Sequence, residues 1–268
     1  MPHRRLPNTA ATVLRALKAA RDTWKNSRPA DRAITNDQWT KLDDENPDCL
    51  LSRFIKESND VSLALAAQAP ITAALTQTNE RLAMFVSHFH QVLNFGILRG
   101  LFDPGARSYY GRDIAATTIP DLSTQDAVIE AAEKVVSGEA ARAAAESAGV
   151  PRWDGSPDGG TIPHVPMSHP TAAEVAALLA HLADLQNKSQ SAQTKTDLER
   201  EDVTRLYPEA HALAVDICDT VEFFHRKDPD ASSRRAKCAR WGVVYIYDDG
   251  ETQSPTGDPS SPGPIATP

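Results

Sequence analysis

Apolar side chains recur every three or four residues along two long stretches of the chain. The first stretch, about 47–100, has the apolar positions Leu75, Leu82, Val86, Phe89 and Leu93 in its second half. The second stretch, about 171–227, closes with Leu206, Ala210, Leu213, Ile217, Val221 and Phe224. This spacing places the apolar side chains on one face of a helix, so the pattern predicts two long helical segments.

Each long segment contains a feature that tests this interpretation. Pro70 lies in the first segment, and because proline lacks an N–H it predicts a kink or a helix start there. The middle of the second segment, 186–202, is polar on every face but contains neither Gly nor Pro. We therefore expect the second helix to run through it without a break, with a hairpin turn as the alternative.

Shorter helices are predicted on either side of the long ones. Asn8 or Thr9 can cap a first amphipathic helix, and Asn36 or Asp37 can cap a second, short one. Ser123 can open a helix that ends near Ala148. A short basic helix is expected over 232–240. The five prolines and four glycines of 149–170 instead predict a loop.

The segment 241–247, WGVVYIY, is β-branched and aromatic and predicts one short strand. A single strand leaves its backbone groups unpaired. We weigh three arrangements: extended across the bundle with Trp241, Val243 and Tyr245 inward, pairing with a stretch such as Gly160–Val165, or pairing with another chain. The residues after it, 248–268, are rich in Pro, Ser and Gly and predict a disordered tail.

Together these patterns predict an all-α fold, an elongated up-and-down helical bundle with two long helical segments, one short C-terminal strand and a disordered tail. We divide the chain into N-terminal amphipathic helices over 1–46, the bundle with its loop and strand over 47–247, and the tail over 248–268.

Composition and charge exclude several classes of protein. The chain has 268 residues, a net charge of -8 and three cysteines, which are too few for a disulfide scaffold. No apolar run is long enough to span a membrane, and an acidic chain is a poor general ligand for nucleic acid. No secretory signal is visible, so a cytoplasmic location is favoured. The N-terminal thirty residues hold seven Lys or Arg and one Asp, which leaves a transit peptide as an alternative to a simple helix.

Four residues form a candidate metal site. Cys218, Glu222 and His225 share one flank of a helix because they are spaced three or four residues apart. His90, from the other long helix, can supply a fourth ligand for a zinc ion. The alternative is a buried cysteine with a Glu–His pair beside the core, and we favour it, so no cofactor is expected.

A second candidate site is basic. Arg234, Arg235, Lys237 and Arg240 precede Trp241 and can hold a phosphate or another anion. Their alternative use is internal charge complementarity within an acidic chain. Candidate interaction residues are Trp241, Val243, Tyr245, Tyr109 and Tyr110, whose tyrosines can equally close one end of a bundle.

No nucleophile elbow or phosphate-binding loop occurs in the sequence. We therefore expect a non-enzymatic interaction or assembly protein that binds a protein partner or itself. The alternatives are a metal-binding enzyme using Glu222, His225 and Cys218, or an anion or nucleic-acid binder using the basic segment 226–240.

Overall fold

The chain is described by a computed structural model that covers residues 2–148 and 164–247. Its helices confirm the predicted all-α fold. They are, in chain order, α1 (Ala10–Asn26), a 3-10 turn (Pro29–Asp31), α2 (Asn36–Thr40), α3 (Leu50–Leu98), α4 (Ala106–Tyr109), α5 (Gln125–Ser147), α6 (Ala172–His225) and α7 (Ala231–Arg240). Most of the predicted loop 149–170 and all of the predicted tail 248–268 lie outside the described residues.

Both long helices are continuous. Pro70 lies inside α3 and does not begin a helix. The polar stretch 186–202 lies inside α6, which confirms the uninterrupted helix and excludes the hairpin turn. Helix α6 also contains Pro208.

Helices α1, α2 and α5 each begin at a threonine whose side chain accepts a backbone N–H. Thr9 caps α1 and forms a reciprocal capping box with Thr12. Thr35 caps α2 and forms a capping box with Gln38, so the cap precedes Asn36 and Asp37 by one or two residues. Thr124, not Ser123, caps α5. These caps satisfy N–H groups that have no partner within the helix.

The chain divides into two compact units, and the division falls within α3 and α6. Unit 1 takes the described residues of 1–64 and 195–268, and unit 2 takes those of 65–194. In unit 1, α1 and α2 pack into the same core as the ends of the long helices, so the N-terminal helices are part of that core. There Trp24 stacks on Trp39 with 5.2 Å between ring centroids, and Arg32 covers Trp24.

The core of unit 2 is built from the predicted stripe of α3 and one face of α5. Leu82, Val86, Phe89 and Leu93 are buried there. Phe89 meets Tyr110 edge to face at 5.1 Å between centroids. The apolar spacing seen in the sequence therefore marks the buried side of α3.

The strand near the C-terminus is present, and it pairs within the chain. Strand β2 (Val244–Ile246) lies antiparallel to β1 (His3–Arg5), with Arg4 opposite Tyr245. Sequence patterning did not predict β1, since a three-residue His-Arg-Arg stretch carries no strand signal. We call this two-stranded sheet the β ribbon.

Candidate functional site

The β ribbon of unit 1 is fixed to α6 through its inner face. Arg4 Nη1 contacts Asp219 Oδ1 at 2.5 Å and Glu222 Oε2 at 3.1 Å. From the neighbouring strand, the Tyr245 hydroxyl donates to Glu222 Oε1 at 2.7 Å. Glu222 therefore joins both strands to α6 through one carboxylate. Burial and the bond to Glu222 raise the pKa of Tyr245, so the phenol keeps its proton and remains a donor.

A turn at Gly242 positions β2 beside α6. Gly242 follows α7 with a φ of 92°, a conformation that favours glycine. A Cβ at Gly242 would lie 2.7 Å from the carbonyl oxygen of Ala16 in α1. The turn can therefore pack directly against α1 only because residue 242 has no side chain. On either side of it, Trp241 and Val243 are 3% and 2% exposed in the unit 1 core.

The outer face of the β ribbon carries a different chemistry. Opposite residues of an antiparallel pair share a face, so His3 and Ile246 lie together, as do Arg5 and Val244. Val244 is 49% exposed and Ile246 is 37% exposed. His3 and Arg5 are exposed as well, and neither has an acidic partner within the described chain. This face is an apolar strip on β2 beside a basic strip on β1.

The two edges of the β ribbon also differ. Strand β1 is bracketed by Pro2 and Pro7, which lack the N–H that a neighbouring strand would need. Proline and charged side chains are common means of blocking an edge strand. Strand β2 has neither, and within the described residues the sheet contains only these two strands. The β2 edge is therefore the less protected one.

The residues of the predicted metal site have other uses in the structure. Glu222 already bonds Arg4 and Tyr245. Burial raises the pKa of the Cys218 thiol to about 11, which disfavours the thiolate that zinc requires. His225 has a buried Nε2 without a hydrogen-bond partner, and desolvation followed by Lys237 lowers its pKa. His90 belongs to unit 2, where it packs against Phe89 and Tyr110.

A different trio of side chains in unit 1 could hold a cation by geometry alone. The ligand atoms of Glu57, Glu199 and Asp202 lie within 4.8 Å of one another. Glu57 also contacts Lys56 at 3.0 Å. Acidic groups at half-buried positions often cluster without binding a metal, and no second feature of the trio points to an ion.

The predicted basic site is partly neutralised by its own loop. Lys237 bonds the Asp228 carboxylate at 2.6 Å, and Arg234 donates to the Asp228 backbone oxygen at 3.3 Å. Arg235 lies 5.9 Å from the Tyr247 ring centroid, and Arg240 is exposed. Internal charge complementarity, the alternative weighed from sequence, thus accounts for Lys237, while Arg234 bonds a backbone oxygen.

The predicted interaction residues lie mainly inside the chain. Trp241 and Val243 are buried in unit 1, and Tyr110 is buried in unit 2 with Tyr109 packed against the same core. Tyr245 is half-buried against Glu222. The exposed apolar residues of the segment are instead Val244 and Ile246, which alternate with the inward positions. The inward positions are those of the first arrangement considered from the sequence, Trp241, Val243 and Tyr245, as strand alternation requires.

No family model, curated protein or solved structure matches the chain. Among the described residues, no helix is long and apolar enough to cross a membrane.

Proposed function

We propose that this chain is a non-enzymatic interaction protein that binds an extended, acidic segment of a protein partner along β2. The observation that carries the proposal is the outer face of the β ribbon, where Val244 and Ile246 are exposed beside Arg5. A segment that lies alongside β2 gains main-chain hydrogen bonds from the strand edge and side-chain contacts from its apolar residues.

The difference between the two edges favours β2 over β1. Pro2 and Pro7 limit the hydrogen bonds that a strand could make next to β1. Strand β2 has exposed β-branched side chains, which pack well against a cross-strand neighbour. A partner would therefore extend the sheet on the β2 side.

The anchoring of the β ribbon supports binding by a preformed surface. Arg4 and Tyr245 hold the two strands to the Glu222 carboxylate, and Gly242 fixes the turn before β2 against α1. A strand that is already ordered loses little conformational entropy when a partner binds. The free segment would bear the ordering cost alone.

The charge of the outer face defines the chemistry of the partner. Arg5 is exposed and has no acidic partner within the described chain, whereas Arg4 already pairs with Asp219 and Glu222. A carboxylate on the partner segment would pair with Arg5 while its apolar residues cover Val244 and Ile246. Such charge complementarity mainly sets specificity and the association rate.

Selection from a random peptide display library against the full chain tests the proposal. We expect enriched peptides that combine β-branched and acidic residues and that bind the purified chain saturably. Because Val244 and Ile246 are exposed, Val244→Ser with Ile246→Ser should leave the fold intact and, by removing the apolar contacts without adding a charge, weaken binding by at least about tenfold. Leu98→Ser is the matched control, since Leu98 is 82% exposed in unit 2.

Two outcomes would overturn the proposal. One is the absence of any enriched peptide that binds saturably. The other is equal binding of enriched peptides to the parent chain and to the Val244→Ser, Ile246→Ser double variant. Loss of binding in Leu98→Ser alone would place the surface elsewhere and would equally refute a site on β2.

A further inference from the structure

Unit 2 contains a half-open cavity of about 230 Å³. Its polar side chains come from α3, α5 and the connection between them: His90, Tyr110, Arg112, Asp121, Glu130 and Lys134. A cavity of about 150 Å³ is known to accept benzene in another protein, so this one has room for a small organic molecule.

The walls of the cavity follow from the local structure. Residues 127, 130, 131 and 134 lie on one face of α5, because their spacing is three or four. Gly111 takes a φ of 69° in the turn after α4, and a Cβ there would lie 3.1 Å from Lys134 Cδ. The left-handed turn thus brings the backbone close to α5 and directs Arg112 toward the cavity.

His90 is an unpartnered polar group in the cavity wall. The residue is 4% exposed, and its imidazole makes no hydrogen bond within the described chain. Buried polar side chains in proteins are nearly always hydrogen-bonded. Burial and then the Arg112 charge lower the pKa of His90 to about 4, so near neutral pH the ring offers one donor and one acceptor to a ligand.

The charges around the cavity leave one cation, Arg112, and one carboxylate, Asp121, without an ionic partner in the described chain. Lys134 Nζ is paired with Glu130 Oε1 at 2.6 Å. Asp121 accepts the backbone N–H of Ser123 at 2.9 Å. Arg112 donates to Thr118, at 2.7 Å to the carbonyl and 3.1 Å to the hydroxyl, but contacts no carboxylate in the described chain. Its Nε is buried without an acceptor.

We propose that this cavity binds a small organic carboxylate. The carboxylate pairs with the Arg112 guanidinium, which is suited to planar oxyanions. The body of the ligand lies against Tyr110 and the alanines of α5, and the N–H of the neutral His90 ring donates to a carboxylate oxygen of the ligand. The site belongs wholly to unit 2 and does not depend on the β ribbon.

Benzoate is a suitable probe, with benzamide as its neutral isostere. We expect saturable shifts in the NMR signals of Gly111 and the His90 ring when the full chain is titrated with benzoate, with a Kd of about 1 mM or tighter. Arg112→Gln should weaken benzoate binding at least about tenfold. Arg99→Gln is the matched control, because Arg99 is exposed in unit 2 and should leave the affinity unchanged.

A second variant keeps the test decisive if Arg112→Gln disturbs the turn. Ala127→Leu enlarges the side chain at the cavity wall, preserves every charge and keeps a good helix former in α5, so it should weaken binding by occupying the space. The proposal is overturned if benzoate shifts do not saturate, if benzamide binds as tightly as benzoate, or if neither Arg112→Gln nor Ala127→Leu weakens binding.

Discussion

Replacing Arg142 by Met should strongly destabilise unit 2. The Arg142 side chain is 1% exposed and is the most fully enclosed cation of this unit that the structure describes. Its guanidinium contacts Glu139 and Glu146, each at 2.9 Å. It also donates to the Val165 carbonyl at 2.8 Å and to the Tyr110 hydroxyl at 2.9 Å. Methionine fills similar space but satisfies none of these groups.

The expected cost comes from the carboxylates that are left behind. Glu139 and Glu146 have side chains that are only 13% and 18% exposed. Burial opposes the charged form of Glu139, yet hydrogen bonds from Arg142 and Tyr110 lower its pKa. Removing one partner of a buried ion pair typically costs about 3–5 kcal/mol, because the other charge remains uncompensated. We expect a loss in this range from Arg142→Met.

A second substitution separates this mechanism from a simple packing defect. Adding Glu139→Gln to Arg142→Met removes one uncompensated charge while keeping the acceptor for the Met167 N–H. The double variant should recover about 1–3 kcal/mol of the loss. A cavity or shape defect would not be repaired by this change.

Hydrogen exchange of the α5 amides, followed in increasing urea, measures the free energy of opening in unit 2. Lys188→Met is the matched control, since Lys188 forms an exposed pair with Asp184 and such pairs contribute less than about 1 kcal/mol. The reasoning is refuted if Arg142→Met costs less than about 1 kcal/mol, or if Glu139→Gln fails to restore stability.

Three further predictions follow from individual contacts. Gly138→Ala should lower the stability of unit 2 by about 1–3 kcal/mol, because the new Cβ would lie 2.5 Å from the Tyr109 carbonyl oxygen. Thermal unfolding measures this loss, and an unchanged melting temperature would contradict the close contact. Arg4→Ala should speed hydrogen exchange in β2 by about fivefold, since half-exposed ion pairs contribute about 1 kcal/mol, whereas exchange in α5 should not change. His90 should contribute about 3 kcal/mol to the fall in the free energy of unfolding between pH 6.5 and 4, because its folded-state pKa is about 4 and the unfolded state takes up the proton first. His90→Phe should reduce this slope in a urea titration at each pH, and an equally steep slope would rule out His90 as its source.

The helices are the part of the fold that the sequence predicted best. The stripes of α3 and α6 required only that buried side chains repeat every three or four residues, and Val86, Phe89, Ile217 and Val221 are indeed buried. The continuity of α6 followed from the absence of Gly and Pro in its polar middle. Cap positions were predicted less well, since several adjacent residues, such as Thr35 and Asn36, can supply the same side-chain oxygen.

The two candidate sites depend on contacts between residues distant in sequence. Arg112 and His90 lie in different elements, and their cavity forms only because Gly111 and α5 close around them. Nothing in the local spacing of these residues indicates that His90 lacks a hydrogen-bond partner. The sequence shows that these residues could bind a ligand, but it does not show that they line one cavity.

The β ribbon shows most clearly the difference between what the sequence determines and what the tertiary structure decides. Residues 241–247 predict a strand on their own, because their β-branched and aromatic side chains favour a pleated surface. Its partner, His3–Arg5, has no such preference and becomes a strand only because Arg4 reaches Glu222 and β2 supplies the hydrogen bonds. Local propensity thus determined which segment would be extended. Tertiary contacts decided what it pairs with and which face, Val244 and Ile246, remains exposed.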